Sequence, residues 1–261
     1  MTGAQIRTDA AMQAGITPAA GAPFCRACRS SALCHVGQKD GYDLFRCAEC
    51  RTVIAHPLPT ADELAKVYEG YQGSANYGLK REKKIARASR RLHRLERLTR
   101  GRRFLDVGCN LGFAVAAAQA LGFTARGIDV DRQAIDRART MFGQASFDVM
   151  PVEALARAGD KFDIVHSSEV IEHVLEPESF AQSICRLIAP GGVLFLTTPD
   201  AGHPLVPRKF ETWKSVRPPR HLTYFSREGL AKLFGRYGMG QFKFWMNFKT
   251  GIQMTARPLA G

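Results

Sequence analysis

Two groups of residues have the types and spacing that chemistry requires. Cys25-x-x-Cys28 and Cys47-x-x-Cys50, eighteen residues apart, supply four thiolates in the pattern that closes a tetrahedron around zinc. Such a site holds together a module too small to fold on its own core. Cys34 and His35 lie between the pairs and are alternative donors. The second group runs from Asp106-x-Gly108-x-Asn110-x-Gly112 to Asp129. Glycines at 108 and 112 let the backbone approach a ligand, and the amides of the helix that follows point at it. An acid about twenty residues beyond such a turn accepts hydrogen bonds from ribose hydroxyls. A dinucleotide turn would need glycines where Asn110 and Phe113 stand, and no Gly-Lys-Ser/Thr follows to hold phosphates. Asp106 would repel a pyrophosphate but suits an ammonium or sulfonium group. The stretch reads as a nucleoside site.

Placing these residues requires strands that alternate with helices. An apolar strand at 104–107 runs into the glycine turn, an alanine-rich helix at 114–121 follows, and a second strand at 125–128 ends in Asp129. The pattern continues with a helix at 132–142, strands at 145–149 and 162–166, a helix at 179–188 and a strand at 193–197 entered through Pro190-Gly-Gly192. A helix at 226–237 and strands at 242–248 and 252–256 close the chain. This alternation predicts an α/β fold with a Rossmann-like, seven-stranded, doubly wound sheet, completed by an antiparallel hairpin, whose ligands lie at the strand C-terminal ends. Ahead of it we expect a flexible tail over 1–22, a small zinc-ribbon module over 23–57, and a helical linker with a lid over 58–100. The main domain then occupies 101–261. Thr60 and Glu63 form a capping box that opens a helix to about Tyr68. Tyr68, Tyr71 and Tyr77 stand among glycines, as in a mobile lid.

The chain has 261 residues and a formal net charge of +13. Residues 80–103 hold twelve Lys and Arg against Glu82 and Glu96, so ten of those charges lie in one stretch. Ile85, Leu92, Leu95 and Leu98 recur there at helical spacing and predict one basic helix with an apolar stripe, not a protein coated in positive charge. Nucleic acid is therefore a partner we do not favour, and an acidic or phosphorylated one suits the helix better. No run approaches the ~18 apolar residues of a membrane span, and no basic segment leads into an apolar signal core. A cytoplasmic protein with reduced thiols is expected.

The turn from Asp106 to Gly112 resembles the first motif of class I S-adenosylmethionine-dependent methyltransferases, D/E-x-G-x-G-x-G, with Asn110 in place of the middle glycine. Phe162-Asp-Ile-Val-His-Ser-Ser-Glu-Val-Ile-Glu-His-Val174, Leu187-Ile-Ala-Pro-Gly-Gly-Val-Leu194 and Pro219-Arg-His-Leu-Thr-Tyr-Phe-Ser226 are similar to later motifs of a small-molecule branch. The stretch from Cys25 to Tyr77 is similar to the zinc-ribbon preamble of a subset that includes sugar C-methyltransferases. The resemblance implies that Gly108, Cys109, Asn110 and Gly112 pass under the methionine part of the cofactor and that Asp106 supports its ammonium. It also implies Asp129 on the ribose, Met150 and Val152 beside the adenine, and Ser167 and Ser168 near the ammonium. Cys109 reads as a packed thiol, because transfer from a sulfonium needs no covalent enzyme intermediate.

An acceptor hydroxyl or acidic C–H would have to lose a proton, and His173, His221 and Tyr224 are the candidate groups. An unperturbed imidazole titrates near 6.5, which suits that task. Glu169, Glu172 and His173 also resemble the divalent-metal trio of ubiquinone-pathway O-methyltransferases. The expected function is methyl transfer from S-adenosylmethionine to a small biosynthetic acceptor such as a nucleotide-linked sugar, with structural Zn2+. The alternatives are an RNA methyltransferase and a non-catalytic zinc-ribbon adaptor.

Overall fold

The computed structural model describes residues 23–60, 62–64, 81–143, 145–245 and 249–259. The tail expected at 1–22 and the lid tyrosines Tyr68, Tyr71 and Tyr77 lie outside the described residues.

Two sheets organise the chain. The larger has seven strands: β4 (Arg103–Val107), β5 (Thr124–Asp129), β6 (Ser146–Val149), β7 (Phe162–Ser168), β8 (Ile188–Pro199), β10 (Met239–Phe244) and β11 (Gly251–Pro258). Their spatial order is β10-β11-β8-β7-β4-β5-β6. The five strands from β8 to β6 run parallel, and β11 pairs antiparallel with both β8 and β10. The expected seven strands and their terminal hairpin are therefore present. Chain direction across the sheet reverses between β4 and β7, so the turns after these two strands flank the crevice where doubly wound sheets bind ligands.

Helices cover both faces: α1 (Arg81–Leu95), α2 (Phe113–Ala120), α3 (Arg132–Met141), α4 (Val152–Arg157), α5 (Pro177–Leu187) and α6 (Arg227–Gly235). The basic stretch is helical as its period predicted. Leu92 and Leu95 of α1 are buried against Phe104, Ile164 and Phe195 of the sheet, while Ile85 and Leu98 pack at the margin. Helix α4 had no counterpart in the sequence reading, because six residues are too few to establish a period.

The smaller sheet comprises β1 (Leu33–Lys39), β2 (Tyr42–Cys47), β3 (Val53–His56) and the two-residue β9 (Thr223–Tyr224), in that order. The first three strands are the expected ribbon hairpin and its extension. The fourth comes from the loop before α6, with Val53 opposite Tyr224 and Ile54 opposite Thr223. A shared apolar cluster of Leu44, Val53, Ala55, Phe210, Trp213 and Tyr224 fills the space between them. Ser226, the N-cap of α6, accepts from the amide of Gly229 at 2.9 Å and donates to the Cys50 carbonyl. Ser226 thus ties the cysteine knuckle to the start of a helix in the main domain. The capping box also forms: the Glu63 carboxylate accepts from the Thr60 amide at 2.7 Å, and the Glu63 amide donates to the Thr60 hydroxyl at 3.2 Å.

Candidate functional site

Strand β4 ends in a turn whose shape depends on residues that tolerate positive φ. Gly108, Asn110 and Gly112 have φ of +72°, +47° and +74°. A Cβ on Gly108 would lie 2.4 Å from Val170, and one on Gly112 would lie 2.4 Å from the Phe147 ring, so neither position admits a side chain. Asparagine at 110 fits because it is among the few residues that enter the left-handed region readily. Its side-chain oxygen accepts from the Leu111 amide at 2.9 Å, which secures the bend where a glycine was expected. The amides of Gly108 and Cys109 donate to the Ile128 carbonyl at 2.9 and 3.0 Å and lock the turn to β5.

Asp129 stands at the end of β5, beside this turn. Its carboxylate accepts from the Asn110 amide at 2.8 Å and from the Asp131 amide at 3.0 Å. An ionised carboxylate has about four acceptor positions, so capacity remains for the hydroxyls of a sugar. Burial raises its pKa, and the two amides oppose that shift. Cys109 is buried, and burial followed by the nearby Asp106 and Asp129 charges pushes its thiol pKa far up. It is a buried, packed thiol. Met150 follows β6, and its amide donates to the Asp129 carbonyl at 3.0 Å. Val152 opens α4 and is buried in the core, whereas Met150 is only partly covered.

Asp106 does not stand alone beside the turn. It is buried, and its Oδ1 lies 2.6 Å from Nδ1 of His166 in the neighbouring strand. The other ring nitrogen of His166 lies 2.9 Å from a guanidinium nitrogen of Arg91 on α1. Arg91 and His166 both pack on the Phe195 ring. Neither Arg91 nor His166 was read from sequence as a partner of Asp106. The available signal was that Asp106 and His166 each interrupt an apolar strand and must find partners.

At the end of β7, Ser167 and Ser168 take different roles. Among the described residues the buried Ser167 hydroxyl has no hydrogen-bond partner, while the Ser168 hydroxyl lies 2.7 Å from the Thr197 hydroxyl. Thr197 in turn donates to Glu169 at 2.9 Å.

The histidines converge. His173 and His221 meet edge to face with ring centroids 4.6 Å apart, and donor atoms of Glu172, His173 and His221 all fall within 4.8 Å of one another. Glu169, from the trio suggested by resemblance, is absent from this group and His221 takes its place. These residues, with Glu169, Pro199, Lys214 and Arg220, line a cavity of about 300 Å³. Burial lowers His173 to about 4, and burial reinforced by the neighbouring His173 lowers His221 to about 3. Burial, with help from the Glu169 charge, raises Glu172 to about 8. Neither histidine is thus the near-neutral base the sequence suggested. Each is a neutral donor in a largely buried setting, and among the described residues Oε1 of Glu172 and Nδ1 of His221 have no hydrogen-bond partner.

Tyr224 departs from its expected place among the catalytic groups. The side chain is fully buried in the apolar cluster with Leu44, Val53, Phe210 and Trp213, its hydroxyl donates to the His221 carbonyl at 3.0 Å and accepts from the Arg217 amide at 3.2 Å, and burial raises its pKa. It shapes the loop that carries His221 and does not line the cavity.

At the ribbon, the Cys25 and Cys50 sulfurs are 3.4 Å apart, those of Cys28 and Cys47 are 3.5 Å apart, and all four lie within 4.8 Å. A zinc tetrahedron with ~2.3 Å bonds sets its sulfurs roughly 3.8 Å apart. The four cysteines therefore fit the metal. Cys34 and His35 are on β1 and not in the cluster.

The family model described as a methyltransferase domain matches residues 78–239. Two similar relatives are ubiquinone biosynthesis O-methyltransferases: one from Brucella ovis, 38% identical over 102 residues, and one from Sinorhizobium fredii, 35% identical over 103 residues. Each match takes in 38% of this chain, so the chain spans about two fifths of these relatives, 41% and 42% of their lengths. Among solved structures, the magnesium protoporphyrin IX methyltransferase of Synechocystis, with S-adenosylmethionine bound, is 16% identical with a TM-score of 0.53, covering 77% of this chain and 99% of that one. An S-adenosylmethionine-dependent methyltransferase of Clostridium acetobutylicum is 11% identical with a TM-score of 0.54, covering 75% and 100%. These likenesses are of fold. Because the family match takes in more than half of the residues, the chain belongs to the methyltransferase domain family.

Proposed function

We propose that this protein transfers a methyl group from S-adenosylmethionine to a small biosynthetic acceptor, in the cytoplasm, with zinc in the four-cysteine site. The observation that carries the reading is the glycine turn joined through the Asn110 amide to Asp129, which keeps a carboxylate beside a backbone bend with acceptor capacity to spare. Gly108, Cys109, Asn110 and Gly112 would hold the methionine part, Asp129 the ribose and Met150 and Val152 the adenine. The partnerless Ser167 hydroxyl and the Ser168 backbone would meet the ammonium, with Asp106 behind them. Bound S-adenosylmethionine supplies an electrophilic methyl group that an aligned acceptor displaces in line. Calorimetry with S-adenosylhomocysteine tests the assignment: one site per chain is expected, and no binding refutes it.

At the acceptor end, His173, His221 and Glu172 would handle the proton of the attacking group. At their lowered proton affinity the histidines are unprotonated at neutral pH, able to accept a hydrogen bond but weak as bases. One observation favours a second component. Among the described residues, Oε1 of Glu172 and Nδ1 of His221 are buried without hydrogen-bond partners at the wall where three donors converge, an arrangement a divalent cation satisfies. Such an ion would lower the pKa of an acceptor hydroxyl. Isothermal titration with Mg2+ and Mn2+, repeated on Glu172→Gln, checks this: binding lost in the variant supports it, and binding retained refutes it.

A further inference from the structure

Helix α1 places Arg87, Arg90, Arg91 and Arg94 at i, i+3, i+4 and i+7, so the four project from one side. They form one wall of a cavity of about 620 Å³. Its floor is the C-terminal edge of the large sheet, Ser168 and Thr197 with Glu169, and its far wall is Trp245 and the start of β11 from Lys249. Arg91 is already committed to His166. Among the described residues, Arg87, Arg90 and Arg94 form no salt bridge with a carboxylate. Glu96, at the end of the same helix, pairs instead with His93 and Arg102. Like charges one turn apart repel along a helix, a repulsion that a bound anion removes. Arg94 also stacks over the Trp245 ring, 5.6 Å from its centroid, and among the described residues the buried Trp245 indole N–H has no hydrogen-bond partner.

From this we infer that the cavity seats the phosphate end of the acceptor: a small molecule carrying a phosphate ester or diphosphate, gripped by Arg87, Arg90 and Arg94. The inference rests on the methyltransferase reading and names the acceptor class for it. Guanidinium groups match phosphate oxygens bidentately, which lysines do not. Glu169 lines both this cavity and the smaller one at the histidines, so a single acceptor spans the two, its anion on α1 and its reactive group toward His173 and His221. The cavity lies in the size range of a small-molecule site, ~300–1,000 Å³. Arg97 and Arg100 continue the basic stretch outside it and serve as internal controls.

The test is calorimetric titration of the full chain with inorganic pyrophosphate at low salt, alongside S-adenosylhomocysteine. One pyrophosphate per chain is expected, weakened at least about tenfold in R87Q/R90Q and in R90Q/R94Q and unchanged in R97Q/R100Q, since each charged hydrogen bond lost is worth at least that factor. Circular dichroism and unaltered S-adenosylhomocysteine affinity certify that the variants fold, and single R87Q and R90Q repeat the measurement with less perturbation. No pyrophosphate binding, or equal loss in the R97Q/R100Q control, overturns the inference. So does a 20-nucleotide RNA that binds more tightly than pyrophosphate and is lost in the control. Failure to bind S-adenosylhomocysteine while arginine-dependent pyrophosphate binding persists would sink the methyltransferase reading and leave the anion seat standing.

Discussion

Asp106 and His166 face each other across the β4–β7 pair, with Oδ1 2.6 Å from Nδ1, and both are buried. Arg91 contacts the remaining ring nitrogen at 2.9 Å. A guanidinium only donates, so Nε2 must accept and Nδ1 must carry the proton it gives to Asp106. The relay fixes the tautomer and orients the carboxylate at the entry to the glycine turn. It also joins the turn to the wall of the arginine-lined cavity, since Arg91 belongs to both. His166→Ala leaves a buried carboxylate without its donor and is expected to cost on the order of 2–4 kcal/mol of stability. If Asp106 supports the cofactor, S-adenosylhomocysteine affinity falls as well. Denaturant unfolding and calorimetry read the two effects. Wild-type values for both would show that the pair is incidental.

Asp129 should behave differently, because its role is at the ligand and at the turn rather than in a buried ion pair. Asp129→Ala removes two backbone hydrogen bonds along with the proposed ribose contacts. Weakening of S-adenosylhomocysteine by ~1.5–3 kcal/mol, roughly 10- to 150-fold, is expected. Asp129→Asn keeps an acceptor oxygen and should fall between the two. Unchanged affinity in the alanine variant would mean the acid serves the turn alone.

The strands of the large sheet and all its helices except the short α4 were legible because their periods and punctuation are local: Asp106 to Gly112 and Pro190-Gly-Gly192 carry their own turn chemistry. The four cysteines were legible for the same reason. What escaped depends on register between distant segments. His166 meets Asp106 only because β7 lies beside β4, sixty residues away in sequence. Tyr224 reads as a reactive phenol three residues from His221, but the pairing of β9 with β3 buries it. His221 stands where Glu169 was expected because its loop packs on the turn after β7, the Leu222 amide donating to the Glu172 carbonyl at 2.8 Å. The histidine pKa values, too, are set by a desolvated pocket that no local pattern announces.

The same pocket gives stability a pH profile with a calculable sign. Folded His173 and His221 take up protons only near 4 and 3, whereas the unfolded chain takes them up near 6.5, so the unfolded state binds more protons in between and stability is lost as pH falls below ~6.5. Glu172 acts oppositely: folded, it keeps its proton up to about 8, while unfolded it releases it near 4.5, so its contribution is lost as pH rises toward 8. Together these groups place a stability maximum near pH 6.5, with limbs of at most ~1.4 kcal/mol per pH unit for each net proton. Thermal melts across pH 4 to 9, with no divalent ion added, should show it. Glu172→Gln should flatten the alkaline limb, and His221→Asn should reduce the acid limb. An unchanged profile in both variants would rule out this cluster as its origin.

The ribbon offers the sharpest separation of structure from chemistry. A closed four-thiolate zinc site contributes on the order of 10 kcal/mol to the folding of its module, and Cys47→Ser removes one ligand from it. Zinc content should fall well below one per chain, and the first thermal transition should move down. The consequence then travels along a definite path. Strand β3 holds β9, Tyr224 of β9 holds the His221 carbonyl, and Ser226 holds the Cys50 carbonyl, so a loosened ribbon frees the loop that carries His221. Among the described residues, the hydrogen bonds of the glycine turn and of the Asp129 carboxylate run within the turn and to β5 and the Asp131 amide, and none reaches the ribbon. Cys47→Ser should therefore lower methyl transfer to the acceptor several-fold or more while leaving S-adenosylhomocysteine affinity within about twofold of wild type, a difference below ~0.5 kcal/mol. Equal loss of both would mean that the ribbon supports the whole sheet, and full retention of zinc would refute Cys47 as a ligand.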